Sequence, residues 1–197
     1  MIKLDIFSDP ICPWCYIGKS YLDRALEKVG NHPFTIQWHP FQLNPEMPVA
    51  GIDRKKYLET KFGSTDLAVK AYTSVLEHAN LAGLTLKLED IAKTPNTLSS
   101  HRLILWAWQE GVQHAVVSAL FKAYFVEGRD IGNHAELVDI SHNAGISGDI
   151  VSRLLTGKND VEKVIELDKA ARKMGVNSAP TFILNGKHVI TGAQNVE

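Results

Sequence analysis

The sequence of 197 residues predicts an α/β protein in which one α/β domain is interrupted by an all-helical insertion. Three observations support this fold class. A strand, a helix and a second strand open the chain, a helix and a hairpin close it, and the long stretch between them shows helical periodicity. The strands at the two ends must therefore pair across the insertion to form one sheet.

The opening elements follow from simple patterns. A strand is predicted over residues 1–7, where apolar and polar residues alternate. Proline suits the first turn of a helix because its missing N–H has no partner there, so Pro13 predicts the start of a helix that continues over 16–29 and ends at Gly30. A second strand is predicted over 34–41, which is rich in aromatic and β-branched residues.

The middle of the chain is predicted to be helical because a glycine repeatedly follows each apolar pattern, as is usual at helix ends. The helices predicted there cover 55–62, 64–82, 97–110, 115–127, 135–144 and 150–156, with Asp149 as the cap of the last one. Residues 99–109 and 116–126 are apolar over most of their circumference, so these two helices are predicted to be buried.

The closing part begins with Asp160, which is predicted to cap a helix over 161–174. Strands over 181–185 and 188–191 form a hairpin, since Asn-Gly is a strong turn signal. The last residues, 192–197, look like the lead-in to a further helix. We therefore expect a C-terminal segment beyond this sequence, or another surface, to cover that face of the sheet.

These elements divide the chain into a discontinuous α/β domain, residues 1–45 and 160–197, and a helical insertion domain, residues 46–159. The formal net charge of −1 gives no electrostatic reason to expect nucleic acid as a partner. The longest apolar run, residues 103–108, is far shorter than the ~20 residues that span a bilayer, so no membrane association is expected.

Polar residues near the start of the chain interrupt any signal-peptide pattern, so a cytoplasmic location is expected. In that compartment a disulfide is more often catalytic than structural. The chain has two cysteines, Cys12 and Cys15, which excludes a disulfide-stapled fold and a four-cysteine zinc site.

The segment Cys12-Pro13-Trp14-Cys15 carries the chemistry. Two cysteines three residues apart at a helix start can close a small disulfide ring, and the helix N-terminus favours the thiolate form of Cys12. Cys15, one turn on, is expected to be more buried and to resolve a mixed disulfide. Pro13 and Trp14 would shape and shield the pair. Half of a zinc site and two inert core cysteines are the alternatives, but the strand–turn–helix context favours redox chemistry.

The sequence resembles the DsbA-like thioredoxin superfamily, in particular its FrnE-like cytosolic branch. The resemblance runs in the same order over nearly the whole chain. Its segments are DPICPWCYIG at residues 9–18, WHPFQLNP at 38–45, NT at 96–97 with HRL at 101–103, FKAYFVEGRDI at 121–131, and GVNSAPTF at 175–182.

This resemblance implies a thioredoxin fold interrupted by the helical insertion, and a dithiol–disulfide oxidoreductase or isomerase. It implies a redox-active Cys12–Cys15 disulfide and a cis-proline at Pro180 that faces the cysteines. Ala179 would then offer its backbone to an extended substrate segment. An ordinary trans turn proline is the alternative at Pro180.

The candidate catalytic residues are Cys12, Cys15 and Pro180. The candidate substrate-binding residues are Pro13, Trp14, Ala179, Asn96 and Thr97. Asp9 is a candidate proton acceptor near Cys15, although Asp before Pro is also a routine turn former. By resemblance, Asn96, Thr97 and His101 overhang the active-site groove; the alternative is a helix cap and a packed histidine.

The predicted function is thiol–disulfide exchange with a disulfide- or thiol-containing protein or small molecule, with no bound cofactor and no metal. Glutathione is a candidate co-substrate. A second hypothesis is a glutathione-dependent enzyme like the 2-hydroxychromene-2-carboxylate isomerases or kappa-class transferases, which carry serine at the position of Cys12. A third is a non-catalytic binding module that responds to the redox state of the pair.

Overall fold

The computed structural model describes residues 1–196 and confirms a mixed α/β fold. The strands are β1 (Ile2–Ser8), β2 (Phe34–Pro40), β3 (Ile52–Asp53), β4 (Lys93–Thr94), β5 (Thr181–Leu184) and β6 (His188–Thr191). Four of them form one sheet in the order β2-β1-β5-β6, and a two-stranded sheet, β3-β4, lies in the helical part of the chain.

The helices begin and end close to the predicted positions. They are α1 (Pro13–Val29), α2 (Arg54–Phe62), α3 (Thr65–Leu81), α4 (Leu98–Gln109), α5 (Gln113–Phe125), α6 (His134–Asn143), α7 (Gly148–Thr156) and α8 (Val161–Lys173). A short 3₁₀ helix, Leu88–Asp90, lies between α3 and β4. The division into two domains at residues 46 and 159 stays a prediction.

The register of the central strand places the two ends of the chain together. β1 runs parallel to β2, with Ser8 opposite Pro40, and antiparallel to β5, with Phe7 opposite Thr181. The end of β1 therefore lies beside the start of β5. Consequently the loop that follows Ser8 meets the segment that precedes Thr181, although the helical insertion separates them in the sequence.

Strand β1 lies between β2 and β5, and its last three residues are buried. Ile6 is fully buried in the main core, which also contains both cysteines and side chains of α4 and α5. Phe7 points to the other face and packs with Phe41, Ala171 and Val176 beneath α8. The main core thus continues from the sheet into the helices without a break.

Two local predictions need correction. Asp149 lies in the first turn of α7, and the residue at the cap position is Ser147. Asp160 is at the cap position of α8, but its side chain makes no capping hydrogen bond; it accepts one from Trp106 Nε1 at 2.9 Å. The sequence also did not predict β3 and β4, because two residues are too few to show an alternating pattern.

The hairpin is exposed on one side. All four residues of β6 are exposed, and a largely apolar groove of about 280 Å³ lies between α1 and the β5–β6 hairpin. The further helix expected beyond residue 197 lies outside the described residues. None of the helices within residues 1–196 is long and apolar enough to cross a membrane.

Arg102 on α4 holds the end of α7. Its buried guanidinium donates to the carbonyl groups of Leu154 at 2.5 Å, Gly157 at 2.9 Å and Asn159 at 2.7 Å. The last carbonyls of a helix have no partner within the helix, so a forked donor satisfies several of them at once. This contact fixes α7 against the helix that carries Thr97 and His101.

We expect Arg102→Leu to lower the free energy of unfolding by about 3 kcal/mol, because it leaves several partly buried carbonyl groups at the end of α7 without donors. Arg102→Lys should recover only part of this loss, since a lysine cannot reproduce the fork. Chemical denaturation followed by circular dichroism measures both effects.

Arg153→Leu is the control, because exposed Arg153 makes only a local contact with the carbonyl of Asp149. It should change stability by less than about 0.5 kcal/mol. Equal losses in Arg102→Leu and Arg153→Leu would contradict the assigned role.

Candidate active site

Cys12 lies at the N-terminus of α1, as the sequence predicts. It has extended backbone angles, φ −88° and ψ 113°, and Pro13 follows in the first turn. Its N–H donates to the carbonyl of Asp9 at 2.9 Å, and its own carbonyl accepts from the N–H of Cys15 at 3.1 Å. The sulfur of Cys12 is thereby held at the positive end of the helix.

The two cysteines are free thiols with their sulfurs in hydrogen-bond contact. Cys12 is 3% exposed and Cys15 is 1% exposed. Burial raises the pKa of Cys15 well above its usual value, and the neighbouring Cys12 adds to this; the Ser8 hydroxyl and the Asp9 N–H act in the opposite direction. Cys15 therefore keeps its proton until the reaction requires its removal.

The Ala179–Pro180 peptide bond is cis and faces the cysteines, as the resemblance implied. The thiol of Cys12 donates to the carbonyl of Ala179 at 3.5 Å. Gly18 permits this approach, because a Cβ there would lie 3.2 Å from Pro180 Cγ. This role of Gly18 was not predicted, since no local pattern shows which residue a helix turns toward a distant loop.

The intervening residues and Ala179 surround the pair. Pro13, Trp14 and Ala179 are half-buried. The Trp14 ring meets His78 of α3 edge to face, with ring centroids 5.1 Å apart. Their contribution to substrate binding stays a prediction.

Asn96 and Thr97 are placed at the start of α4. Asn96 accepts from the N–H of Leu98 at 2.9 Å and donates to the carbonyl of Met47 at 2.6 Å. Thr97 is at the cap position but makes no capping bond; it is buried and its hydroxyl contacts the Asp9 carboxylate. A substrate contact for either residue stays a prediction, and Asn96 supplies the capping bond.

Asp9 is fully buried between α4 and the cysteine loop, residues 10–12. Its carboxylate accepts from the N–H of Leu43 at 2.7 Å and of Ile11 at 3.4 Å, and it contacts Thr97. Burial raises the pKa of Asp9 to about 7, and these hydrogen bonds prevent a larger rise. Asp9 is thus partly protonated at neutral pH.

His101 faces Asp9 from α4. Its Nε2 lies 3.8 Å from Asp9 Oδ1, and neither ring nitrogen has a hydrogen-bond partner among residues 1–196. Burial lowers the pKa of His101 to about 4. Between pH 4 and 7 the two groups are therefore not an ion pair, because the proton resides on Asp9 and the imidazole is neutral.

Helix α8 closes this polar cluster from the other side. Asp168 accepts from the N–H of Gln42 at 2.7 Å and from Arg172 Nε at 2.8 Å. Arg172 also donates to the carbonyl of Gln42 at 2.5 Å. The spacing of Asp168 and Arg172, four residues apart on a helix, was the only sequence signal for this contact.

No group of three or more His, Cys, Asp or Glu side chains suited to a metal ion occurs in the described part of the chain.

The chain belongs to the DsbA-like thioredoxin domain family, whose model matches residues 3–197.

Solved structures share this fold. A "probable DsbA oxidoreductase" of Streptomyces coelicolor is 24% identical, with a TM-score of 0.88 over 100% of this chain and 86% of that chain. A 2-hydroxychromene-2-carboxylate isomerase is 16% identical, with a TM-score of 0.73 over 97% and 89%. The cytosolic disulfide reductase DsbM of Pseudomonas aeruginosa, solved with GSH, is 19% identical, with a TM-score of 0.68 over 96% and 89%.

The opposite pKa shifts of Asp9 and His101 predict that the two groups have opposing effects on how the stability of the fold changes with pH. The pKa of Asp9 is raised from 3.8 to about 7, so this group stabilises the fold at low pH and loses that contribution as the pH rises through 7. The pKa of His101 is lowered from 6.5 to about 4, so this group destabilises the fold at low pH and ceases to do so as the pH rises through 6.5. Between pH 4 and 6.5 the two contributions oppose each other.

We therefore expect His101→Gln to make stability fall with pH relative to wild type, by up to about 1 kcal/mol per pH unit between pH 4 and 6.5. Asp9→Asn should produce a relative rise over the same range. Urea denaturation at several pH values measures both slopes. If stability changes with pH in both variants as it does in the wild type, the opposite pKa shifts of Asp9 and His101 are contradicted.

Proposed function

We propose that this member of the DsbA-like thioredoxin domain family exchanges dithiols and disulfides with cysteine-containing proteins or small thiols. The observation that carries the proposal is the free thiol of Cys12 at a helix N-terminus, in contact with Cys15 and with the carbonyl before cis-Pro180. We also propose that it works in the cytoplasm and belongs to the FrnE-like branch, as its sequence motifs suggest.

In the first step, the Cys12 thiolate attacks one sulfur of a substrate disulfide. A bond forms between Cys12 and that sulfur, the substrate S–S bond breaks, and the second substrate sulfur leaves as a thiolate. An extended substrate segment beside Ala179 would form an added strand along the backbone that precedes Pro180. Half-buried Pro13 and Trp14 would form the opposite side of this contact.

In the second step, Cys15 loses its proton and attacks the Cys12 sulfur. The Cys12–Cys15 bond forms, the mixed disulfide breaks, and the first substrate sulfur leaves as a thiolate. Two electrons have passed from the protein dithiol to the substrate. We assign the proton acceptor as Asp9, because its backbone N–H contacts the Cys15 sulfur and its buried carboxyl, with a pKa of about 7, suits a base at neutral pH.

Glutathione is the proposed small-thiol co-substrate. The DsbM structure was solved with GSH, and the isomerase shares the fold. A glutathione-dependent isomerase or transferase remains the second candidate function, and tight glutathione binding without disulfide exchange would favour it. The presence of both cysteines favours disulfide exchange, because an isomerase of that type would not need Cys15.

Substitution of each cysteine separates the two steps. Cys12→Ser should reduce insulin at the background rate, because the attacking sulfur is absent. Cys15→Ser should instead accumulate a stable mixed disulfide, because the resolving sulfur is absent. Turbidity and intact mass spectrometry measure the two outcomes. Insulin reduction by Cys12→Ser at the wild-type rate would exclude the proposal.

Equilibration with glutathione buffers tests the redox couple itself. The protein should lose two hydrogen atoms in a single transition, with a slope of about 30 mV per tenfold change in the ratio of dithiol to disulfide. Trapping with an alkylating reagent before mass spectrometry measures the fraction oxidised. A protein that keeps both thiols free, or forms only intermolecular disulfides, would contradict a redox-active pair.

A further inference from the structure

A cavity distinct from the apolar groove beside α1 has His101 in its wall. It has a volume of about 240 Å³ and lies between β2, α4 and α8. Trp38, His39, His101, Trp108 and Lys163 contribute to its wall, and none of its lining residues belongs to the cysteine loop or to the Ala179–Pro180 segment. Trp108, which the sequence predicts to be a core residue, is 38% exposed and lies at this cavity.

His101 connects this cavity with the active site. It lines the cavity, and its Nε2 also lies 3.8 Å from Asp9 Oδ1. A shift of about 1 Å would bring the two atoms to hydrogen-bond distance. A buried imidazole with two unsatisfied nitrogens is costly for stability, so its presence beside the active site calls for an explanation.

The second step of the exchange needs such a connection. Cys15 is almost completely buried, and a bound substrate would cover the Cys12 side of the pair. The Asp9 carboxyl is buried as well, so any proton it receives must later pass to solvent by another route. Asp9 is the residue that lies next to both groups: its backbone N–H contacts the Cys15 sulfur, and its carboxylate Oδ1 lies 3.8 Å from His101 Nε2.

We propose that His101 carries the proton between Asp9 and the cavity, so that the proton released by Cys15 leaves through this cavity while substrate is still bound. This inference rests on the proposed function. As the Cys12–Cys15 bond forms and the substrate thiolate leaves, Asp9 takes the proton of Cys15. The imidazole then accepts one proton from Asp9, releases one to the cavity, and ends as its other neutral tautomer.

Other charged groups surround this route. The charge of Asp168 acts with burial to raise the pKa of Asp9, and it opposes the effect of burial on the pKa of His101. Asp168 is itself bound to Arg172. Lys163 lies on the cavity wall, and Cys12 and Cys15 face Asp9 from α1. His39 also lines the cavity, but its Nε2 contacts Asp5 at 2.6 Å, and Asp5 contacts Lys3 at 2.9 Å. His39 is therefore a histidine of the same cavity that does not touch Asp9.

The test uses the reaction of the reduced protein with an aromatic disulfide, 5,5′-dithiobis(2-nitrobenzoate), in a stopped-flow instrument. The first released thiolate reports attack by Cys12, and the second reports resolution by Cys15. In His101→Ala the second phase should slow by about 10²-fold, while the first phase stays within about twofold of wild type. The control His39→Gln should leave both phases unchanged.

Chemical rescue distinguishes proton transfer from packing. Added imidazole should restore the second phase in His101→Ala, whereas pyrrole, which has the same shape but no acceptor nitrogen, should not. Rescue by pyrrole equal to that by imidazole would show a space-filling role and overturn the inference. A second phase in His101→Ala within about twofold of wild type would also overturn it.

His101→Gln covers the case in which His101→Ala does not fold. Glutamine retains hydrogen bonding but cannot exchange tautomers, so the second phase should again slow; a wild-type second phase in this variant overturns the inference. The proposed function has a separate failure. A wild-type protein that shows no second phase would exclude exchange by the pair and, with it, the proton route.

Discussion

The burial of one carboxyl group, that of Asp9, is the constraint on which the rest of the site depends. A charged carboxylate is costly to bury, so the fold must surround it with donors or keep it protonated. It does both: two backbone N–H groups and Thr97 contact the carboxylate, and burial raises the pKa of Asp9 to about 7. The backbone of the same residue contacts both cysteines, since its carbonyl accepts from the N–H of Cys12 and its N–H contacts the Cys15 sulfur. The contacts that hold the buried carboxyl therefore also hold the backbone against which the two sulfurs are placed.

The sheet and the helical insertion contribute different parts of the site around Asp9 and the cysteines. The sheet brings the end of β1 beside the start of β5, and this register sets Cys12 against the Ala179 carbonyl. The insertion supplies α4, whose first turn places Thr97 and His101 on Asp9. Arg102, the next residue, fixes α4 to the end of α7. Because the hydrophobic core is continuous across both parts, a shift of α4 would change the packing around Asp9.

Local patterns in the sequence predicted most elements of the fold and the position of the cysteine pair. Proline at position 13, glycines after helices and the Asn-Gly turn each act within a few residues, so they can be identified directly. The cis form of Pro180 came from resemblance alone. The contacts of Asp9 could not be predicted, because Leu43, Thr97 and His101 lie far along the chain and reach Asp9 only through tertiary packing. The same reason explains Asp160, where a tertiary bond to Trp106 replaced the expected cap.

The protonation state of the Asp9–His101 pair explains how a hydrophobic core can contain two titratable groups. An ion pair at 3.8 Å with unsatisfied nitrogens would recover little of the free energy lost by removing both charges from water. Two neutral groups incur a much smaller loss, and the opposite pKa shifts show that the buried site favours this state. Near neutral pH, however, the Asp9 proton is held only weakly, since its pKa is about 7. The arrangement that makes the burial tolerable thus also leaves a carboxyl that can gain or lose a proton near neutral pH, in the residue whose backbone N–H contacts the cysteine that must lose one.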